Sequence, residues 1–180
     1  MTAVGSLSEA ELIDLARLGD ERAFAALVAP YRTMLTAACY RITGDNGDTE
    51  DAVQQALLAA WRNLDRFAGR SSFSTWFYRI AHNAALAIVR KRRPEPTDAP
   101  TEWMPATAPD PASRVTDGDS VRWALEKLPP DFRAAVVMRD CCAMTYQEIA
   151  DTQGVKIDTV KSRIARGRNA LRALLEQPDA

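Results

Sequence analysis

The sequence has a single histidine, His82, and only three cysteines, Cys39, Cys141 and Cys142. One histidine cannot build a metal site without carboxylate help, and an odd number of cysteines with no partnering spacing suggests neither a disulfide framework nor a zinc site. No run of 18 apolar residues occurs, which argues against a membrane-spanning helix. The opening stretch MTAVGSLSEAELIDL carries acidic residues where a signal peptide needs basic ones. The expectation is a cytoplasmic chain with no membrane insertion of its own. No nucleotide-binding loop and no nucleophile–base pair is present, so neither catalysis nor a cofactor is expected. Cys141 and Cys142 with His82 lack a local catalytic signature and read as buried thiols, with a redox role left open. Strand patterns are missing throughout. No sign of charge dominates either: 23 Lys and Arg stand against 24 Asp and Glu, a net charge of −1. That mean hides segregation, because Arg90 to Arg93 and the C-terminal stretch are basic while Glu95 to Asp119 is acidic. The local field matters more than the sum.

What is present describes an ordinary globular protein, 180 residues long with 47% apolar and 26% charged residues, long enough for one or two domains. The most informative stretch is Thr145 to Leu175. Thr145 followed by Glu148 forms a capping box that opens one helix, and Gln153-Gly154 breaks it with the residue that takes positive φ cheaply. From Lys156 onward Ile157, Val160, Ile164, Leu171 and Leu174 fall on one stripe at 100° per residue. Ser162, Ala165, Arg166 and Asn169 face the opposite way, with Lys161 and Arg172 beside them and Arg163 and Arg168 flanking the apolar edge. Six Lys and Arg stand against one Asp between Lys156 and Arg172. Two helices joined by a tight turn, the second cationic, are the layout of a DNA-binding helix-turn-helix. A surface hairpin with a solvated basic face is the plainer alternative. Ala165 and Gly167 could admit a phosphate backbone or serve packing.

Along the chain, Ser8 is a candidate N-cap for a helix whose apolar face is Leu12, Leu15 and Ala16. Glu21 to Ile42 follows, with Pro30 as a kink or break. Thr49 to Leu64 places Val53, Leu57, Ala60 and Leu64 in a core stripe, and turns Asp51, Gln54, Gln55, Leu58 and Arg62 outward. Asp65 to Ser74 reads as a polar loop holding Phe67 and Phe73. Ser74 then caps a helix to about Arg92 whose apolar side is Trp76, Ile80, Ala84 and Ala87, with Asn83 at its edge. A loop with aromatics leading into a basic helix suits unpaired bases, which stack on rings while cations track the backbone. Pro94 to Ser120 holds six of the ten prolines and reads as a linker, with Trp103 and Met104 its only large apolar groups. The expected fold is all-α, with two small domains at 6–93 and 119–177 joined by a Pro-rich flexible linker at 94–118.

The order of DAVQQALLAAWRNLDRF, STWFYRIAHNAA, a basic tract, a Pro-rich linker, LPPDFRAAVVMRD, TYQEIAD and TVKSRIARGR resembles the extracytoplasmic-function (ECF) sigma factors, compact members of the sigma-70 family that keep only regions 2 and 4. The resemblance implies a subunit that binds core RNA polymerase and directs promoter-specific initiation. It implies that Asp51, Gln54, Gln55, Leu58 and Arg62 dock on the coiled coil of the largest polymerase subunit. It places Phe67, Asn83, Arg79 and Arg90 at the melted −10 element, where an amide can read the edge of a flipped base. It places Lys161, Ser162, Arg163, Ala165, Arg166 and Arg168 at the −35 duplex. An anti-sigma factor between the two domains is a further implied partner, and the linker is expected to thread toward the active-site and RNA-exit channels.

Two other classes of function fit part of the chain. A free-standing helix-turn-helix regulator explains Thr145 to Leu175 but leaves Phe67 and Leu58 unused. A protein-interaction module treats the basic helices as incidental.

Overall fold

The structure is a computed structural model that describes residues 7–92 and 117–176, with the backbone alone for 117–119. The expected linker, with Trp103 and Met104, lies outside the described residues except for its last two positions. The elements are α1 (Glu9–Arg17), α2 (Glu21–Val28), a 3-10 turn (Ala29–Tyr31), α3 (Arg32–Thr43), α4 (Asn46–Asn63), a 3-10 turn (Leu64–Arg66), α5 (Phe73–Arg92), α6 (Asp117–Lys127), α7 (Pro130–Asp140), α8 (Tyr146–Gln153) and α9 (Ile157–Leu175). No strand occurs among the described residues.

Local chemistry places most boundaries. Ser8 and Glu11 close a capping box on α1, and Thr145 and Glu148 close another on α8. Pro30 occupies the first positions of a 3-10 turn, where its missing N–H is not needed, so it breaks α2 from α3 rather than kinking one helix. α4 begins three residues before the expected start because Asp45 accepts from the Asp48 amide. Ser72, not Ser74, opens α5: its Oγ accepts from the Thr75 amide at 3.2 Å.

Packing then selects faces that periodicity left ambiguous. On α4 the buried residues are Thr49, Ala52, Val53, Ala56 and Ala60, while Leu57 is only half-buried. Small residues let α4 lie close to α3 and α5. On α5 the buried face is Phe73, Trp76, Phe77, Ala81, His82, Ala85, Leu86 and Val89. Of the expected stripe only Trp76 is buried; Ile80 and Ala84 are half-buried and Ala87 is exposed. α5 is apolar over most of its circumference, and its neighbours α3, α4 and α7 decide which side is covered.

The N-terminal half (α1–α5) and the C-terminal half (α6–α9) meet along α3, α5, α6 and α7. Leu125, Leu128, Val137 and Ala170 join the same apolar cluster as the residues of α1–α5, while Met138, Met144, Ile149, Val160 and Ile164 form a second cluster within the C-terminal half. Arg133 of α7, 4% exposed, donates to the Ile42 carbonyl of α3 at 2.6 Å and to the carbonyls of Glu126 and Leu128 at 2.9 and 3.2 Å. Those oxygens end α3 and α6, where a cation meets the negative end of a helix dipole. Gly44 closes α3 at φ 73°, and a Cβ there would stand 2.7 Å from Oε1 of Glu126. The seam is therefore closely fitted.

Candidate nucleic-acid interface

The outward face of α4 agrees with its periodicity. Asp51, Gln54, Gln55, Leu58 and Arg62 are all exposed, and Leu58 shows 53% of its surface amid polar neighbours. The opposite side is locked by alanines, so the helix presents these five side chains on a rigid support.

On α9, Val160, Ile164, Gly167, Ala170 and Leu174 are buried. Lys161 and Ala165 are exposed, and Ser162 and Arg166 are half-buried on the same outward sector. Arg166 makes no ion pair among the described residues, and Lys161 makes only a 3.0 Å contact to Asp158 one turn away. Two of the residues expected at the −35 duplex are held in ion pairs. Arg163 turns inward with 16% of its side chain exposed and donates to Asp131 at 3.2 Å and to Gln153 at 2.8 Å. Arg168 pairs with Asp140. No local pattern in the sequence marks Asp131 or Gln153 as partners of Arg163, because they arrive from α7 and α8. Gly167 is packing: a Cβ would lie 2.8 Å from Cγ2 of Val136 on α7.

On α5, Arg79, Asn83, Ala87 and Arg90 form one exposed stripe at four- and three-residue steps. Arg90 reaches across the seam to Asp131 at 2.8 Å. Asp131, itself only 16% exposed, therefore holds one arginine from α5 and one from α9. Phe67 does not stand free as a stacking platform. It is 9% exposed and its ring meets Phe73 edge-on at 5.8 Å and Trp76 at 5.3 Å. Those contacts set it on the first turns of α5, seven residues or about 10 Å of helix from Asn83. No hydrogen bond or ring contact among the described residues joins Phe67 to Asn83. The backbone there is clamped by Arg17 of α1, which donates to the carbonyls of Phe67 at 2.5 Å and Leu64 at 3.4 Å.

The remaining chemistry is quiet. Cys39 is buried and Cys141 and Cys142 are half-buried, all as free thiols. Burial pushes the Cys39 and Cys142 thiols up to about 12, each with a smaller push from a neighbouring cysteine. Such thiols are poor nucleophiles. No group of His, Cys, Asp and Glu suited to a metal occurs among the described residues, and among them no helix is long and apolar enough to cross a membrane.

Comparison with known proteins identifies the family. Residues 27–95 match sigma-70 region 2 and residues 119–171 match sigma-70 region 4. The chain is 34% identical to the ECF RNA polymerase sigma factor SigW of Bacillus subtilis, over 87% of this chain and 91% of that protein. It is 37% identical to the longer ECF RNA polymerase sigma factor SigG of Mycobacterium tuberculosis, over 88% of this chain but only about half (49%) of that protein. Among solved structures, CnrH in complex with the cytosolic domain of CnrY has a TM-score of 0.70 at 29% identity, covering 95% of this chain and 99% of that one. The sigma factor RpoE in complex with the anti-sigma factor NepR from Bartonella quintana has a TM-score of 0.64 at 30% identity, covering 86% and 96%. A chain carrying both regions, and matching SigW over nearly the whole of either protein, belongs to the ECF RNA polymerase sigma factors of the sigma-70 family.

Proposed function

We propose that the protein binds core RNA polymerase and directs it to promoters with two elements, reading the −35 element as duplex and holding the −10 element as melted single strand. The observation that carries this reading is the exposed α4 face: an unpartnered leucine among Asp51, Gln54, Gln55 and Arg62 on a rigid helix. A free-standing DNA-binding regulator has no use for it. The partner that the family resemblance implies for it is the coiled coil of the largest polymerase subunit. On α9, Lys161 holds a phosphate, Arg168 stands at the duplex backbone while paired with Asp140, and Arg166 and Ser162 reach base edges beside the small Ala165. Arg163 contributes by fixing α9 on α7. On α5, Arg79 and Arg90 track the single strand and Asn83 reads a flipped base, with Phe67 bracing the loop that leads into the helix.

Melting needs no hydrolysis. Unstacking a base costs a few kcal/mol, offset when its faces and edge are taken up by the protein. The protein works in the cytoplasm with polymerase, and an anti-sigma factor is a fitting second partner, as in the NepR complex with RpoE.

Geometry adds a requirement. The family resemblance implies elements about 16–18 base pairs apart, or roughly 55–60 Å of duplex at 3.4 Å per pair. In the closed arrangement α5 and α9 share one carboxylate, that of Asp131. Binding both elements at once therefore requires the halves to separate. A 25-residue linker, at about 3.3–3.6 Å per residue, can span the distance.

The test is run-off transcription from a pool of bacterial promoter fragments, with core polymerase alone and with the protein added. New start sites that share two motifs at that spacing are expected. No new transcripts, together with duplex binding in the absence of core, would replace this reading with the free-standing regulator.

A further inference from the structure

His82 is the chain's only histidine, and it lies where a histidine is costly. It sits on the buried side of α5 with 3% exposure. Its Nε2 has no hydrogen-bond partner among the described residues. A leucine would fill similar space without leaving a buried polar atom unmatched. The other ring nitrogen, Nδ1, lies 3.2 Å from Oδ1 of Asn83. A neutral imidazole has one donor nitrogen and one acceptor nitrogen, whereas an amide oxygen only accepts. With Oδ1 as its neighbour, the Nδ1-protonated tautomer is the one that makes this hydrogen bond, leaving the lone pair on Nε2. Burial keeps the ring neutral, lowering its pKa to about 4, so the hydrogen bond and not charge sets the tautomer.

The consequence falls on Asn83, which is exposed one residue further along the helix. A free asparagine amide can turn over and offer either its carbonyl or its N–H groups. With Oδ1 held by a buried donor, the two N–H groups of Nδ2 remain for whatever approaches from solvent.

We propose that His82 is a positioning residue that sets specificity: it fixes the Asn83 amide in one orientation, so that an unpaired base meets its two donors rather than its carbonyl. The proposal rests on the −10 reading of α5 given above. The ligand it fits is a nucleobase whose edge offers adjacent acceptors, since an exocyclic amine turned toward Asn83 would set donor against donor.

A single histidine makes the first test direct. In the full chain with isotope-labelled histidine nitrogens, NMR at neutral pH is expected to find Nδ1 protonated and Nε2 bare; the reverse tautomer overturns the proposal. The second test uses the complex with core polymerase and promoters carrying each of the four bases at each −10 position. His82→Leu should shrink the ratio between best and worst base about tenfold, the discrimination of one well-oriented base contact. His82→Asn, whose amide can donate from near the Nδ1 position, should keep most of it, and His82→Leu should add nothing to Asn83→Ala. An equal loss on all four bases, or unchanged ratios, would reduce His82 to packing. If Asn83→Ala itself leaves the ratios unaltered, the −10 reading fails and the role of His82 goes with it.

Discussion

Arg163 and Arg166 stand three residues apart on α9 with different surroundings. Arg163 spans Asp131 and Gln153 on α7 and α8, whereas Arg166 makes no ion pair among the described residues. Arg166→Ala should leave thermal stability within about 0.5 kcal/mol of wild type, as at ordinary surface sites, while weakening discrimination among −35 variants by about 1–3 kcal/mol. Arg163→Ala should do the opposite: about 1–3 kcal/mol lost from stability through two broken charge-assisted bonds, with the −35 preference of the folded fraction retained. Thermal melts and competitive duplex binding on both variants separate the two roles. His82 gives a pH signature. Its folded pKa of about 4 lies below the ordinary histidine value of 6.5, so the unfolded chain binds the extra proton first. The groups facing it are Asn83 and Arg90 on α5 and Asp131 on α7. Stability from this residue is full above pH 6.5 and falls as pH drops toward 4, by up to about 3 kcal/mol. Urea midpoints at pH 7 and 5.5 should differ in the wild type and converge in His82→Leu.

At the scale of helices, two substitutions test whether a face docks or packs. Leu58 is exposed on α4, so Leu58→Asp should leave the helical circular-dichroism signal and melting temperature nearly unchanged. The same variant should fail to co-elute with core polymerase, because a charge replaces an apolar anchor at a desolvated contact; retained co-elution would remove the docking role from α4. Gly167 is the reverse case. In a solvent-facing helix Gly→Ala stabilises by about 1 kcal/mol. Here the new Cβ would lie 2.8 Å from Val136, whose branched side chain has few rotamers to retreat into. Overpacking should win, and Gly167→Ala should lose about 1–2 kcal/mol as read by denaturant unfolding.

The whole molecule is held closed by a seam of unlike contacts: the Arg90–Asp131 pair, Arg133 on the ends of α3 and α6, and a bond from Arg122 to the Tyr40 hydroxyl at 3.3 Å. Arg133 contributes most, since its removal leaves the Ile42 carbonyl without its donor inside the seam. Cys39 reports on this arrangement. It is 1% exposed in the apolar cluster that both halves share, so a maleimide reaches it only when the structure opens. Arg133→Ala should speed Cys39 alkylation at least several-fold relative to wild type. An unchanged rate would mean that Cys39 is protected within the N-terminal half alone.

What the sequence determined by itself is whatever depends on neighbours a few residues away. The capping boxes at Ser8 and Thr145, the left-handed Gly154 at φ 65°, the break at Pro30, the outward face of α4 and the buried Val160–Ile164–Leu174 stripe of α9 all follow from helical period and local hydrogen bonding. Tertiary structure decided what depends on distant chain. α5 carries more than one apolar stripe, and only the packing of α3, α4 and α7 selects the side with Phe77 and Ala81. Phe67 reads as a free ring until Phe73 and Trp76 close on it. The pairing of Arg163 with Asp131 and of Arg168 with Asp140 exists only once α7 is packed on α9. His82 beneath Asn83 reads as one more polar residue until its ring is seen to be buried. In each case a cation or ring has a fixed place on its helix, while its partner arrives from a separate element.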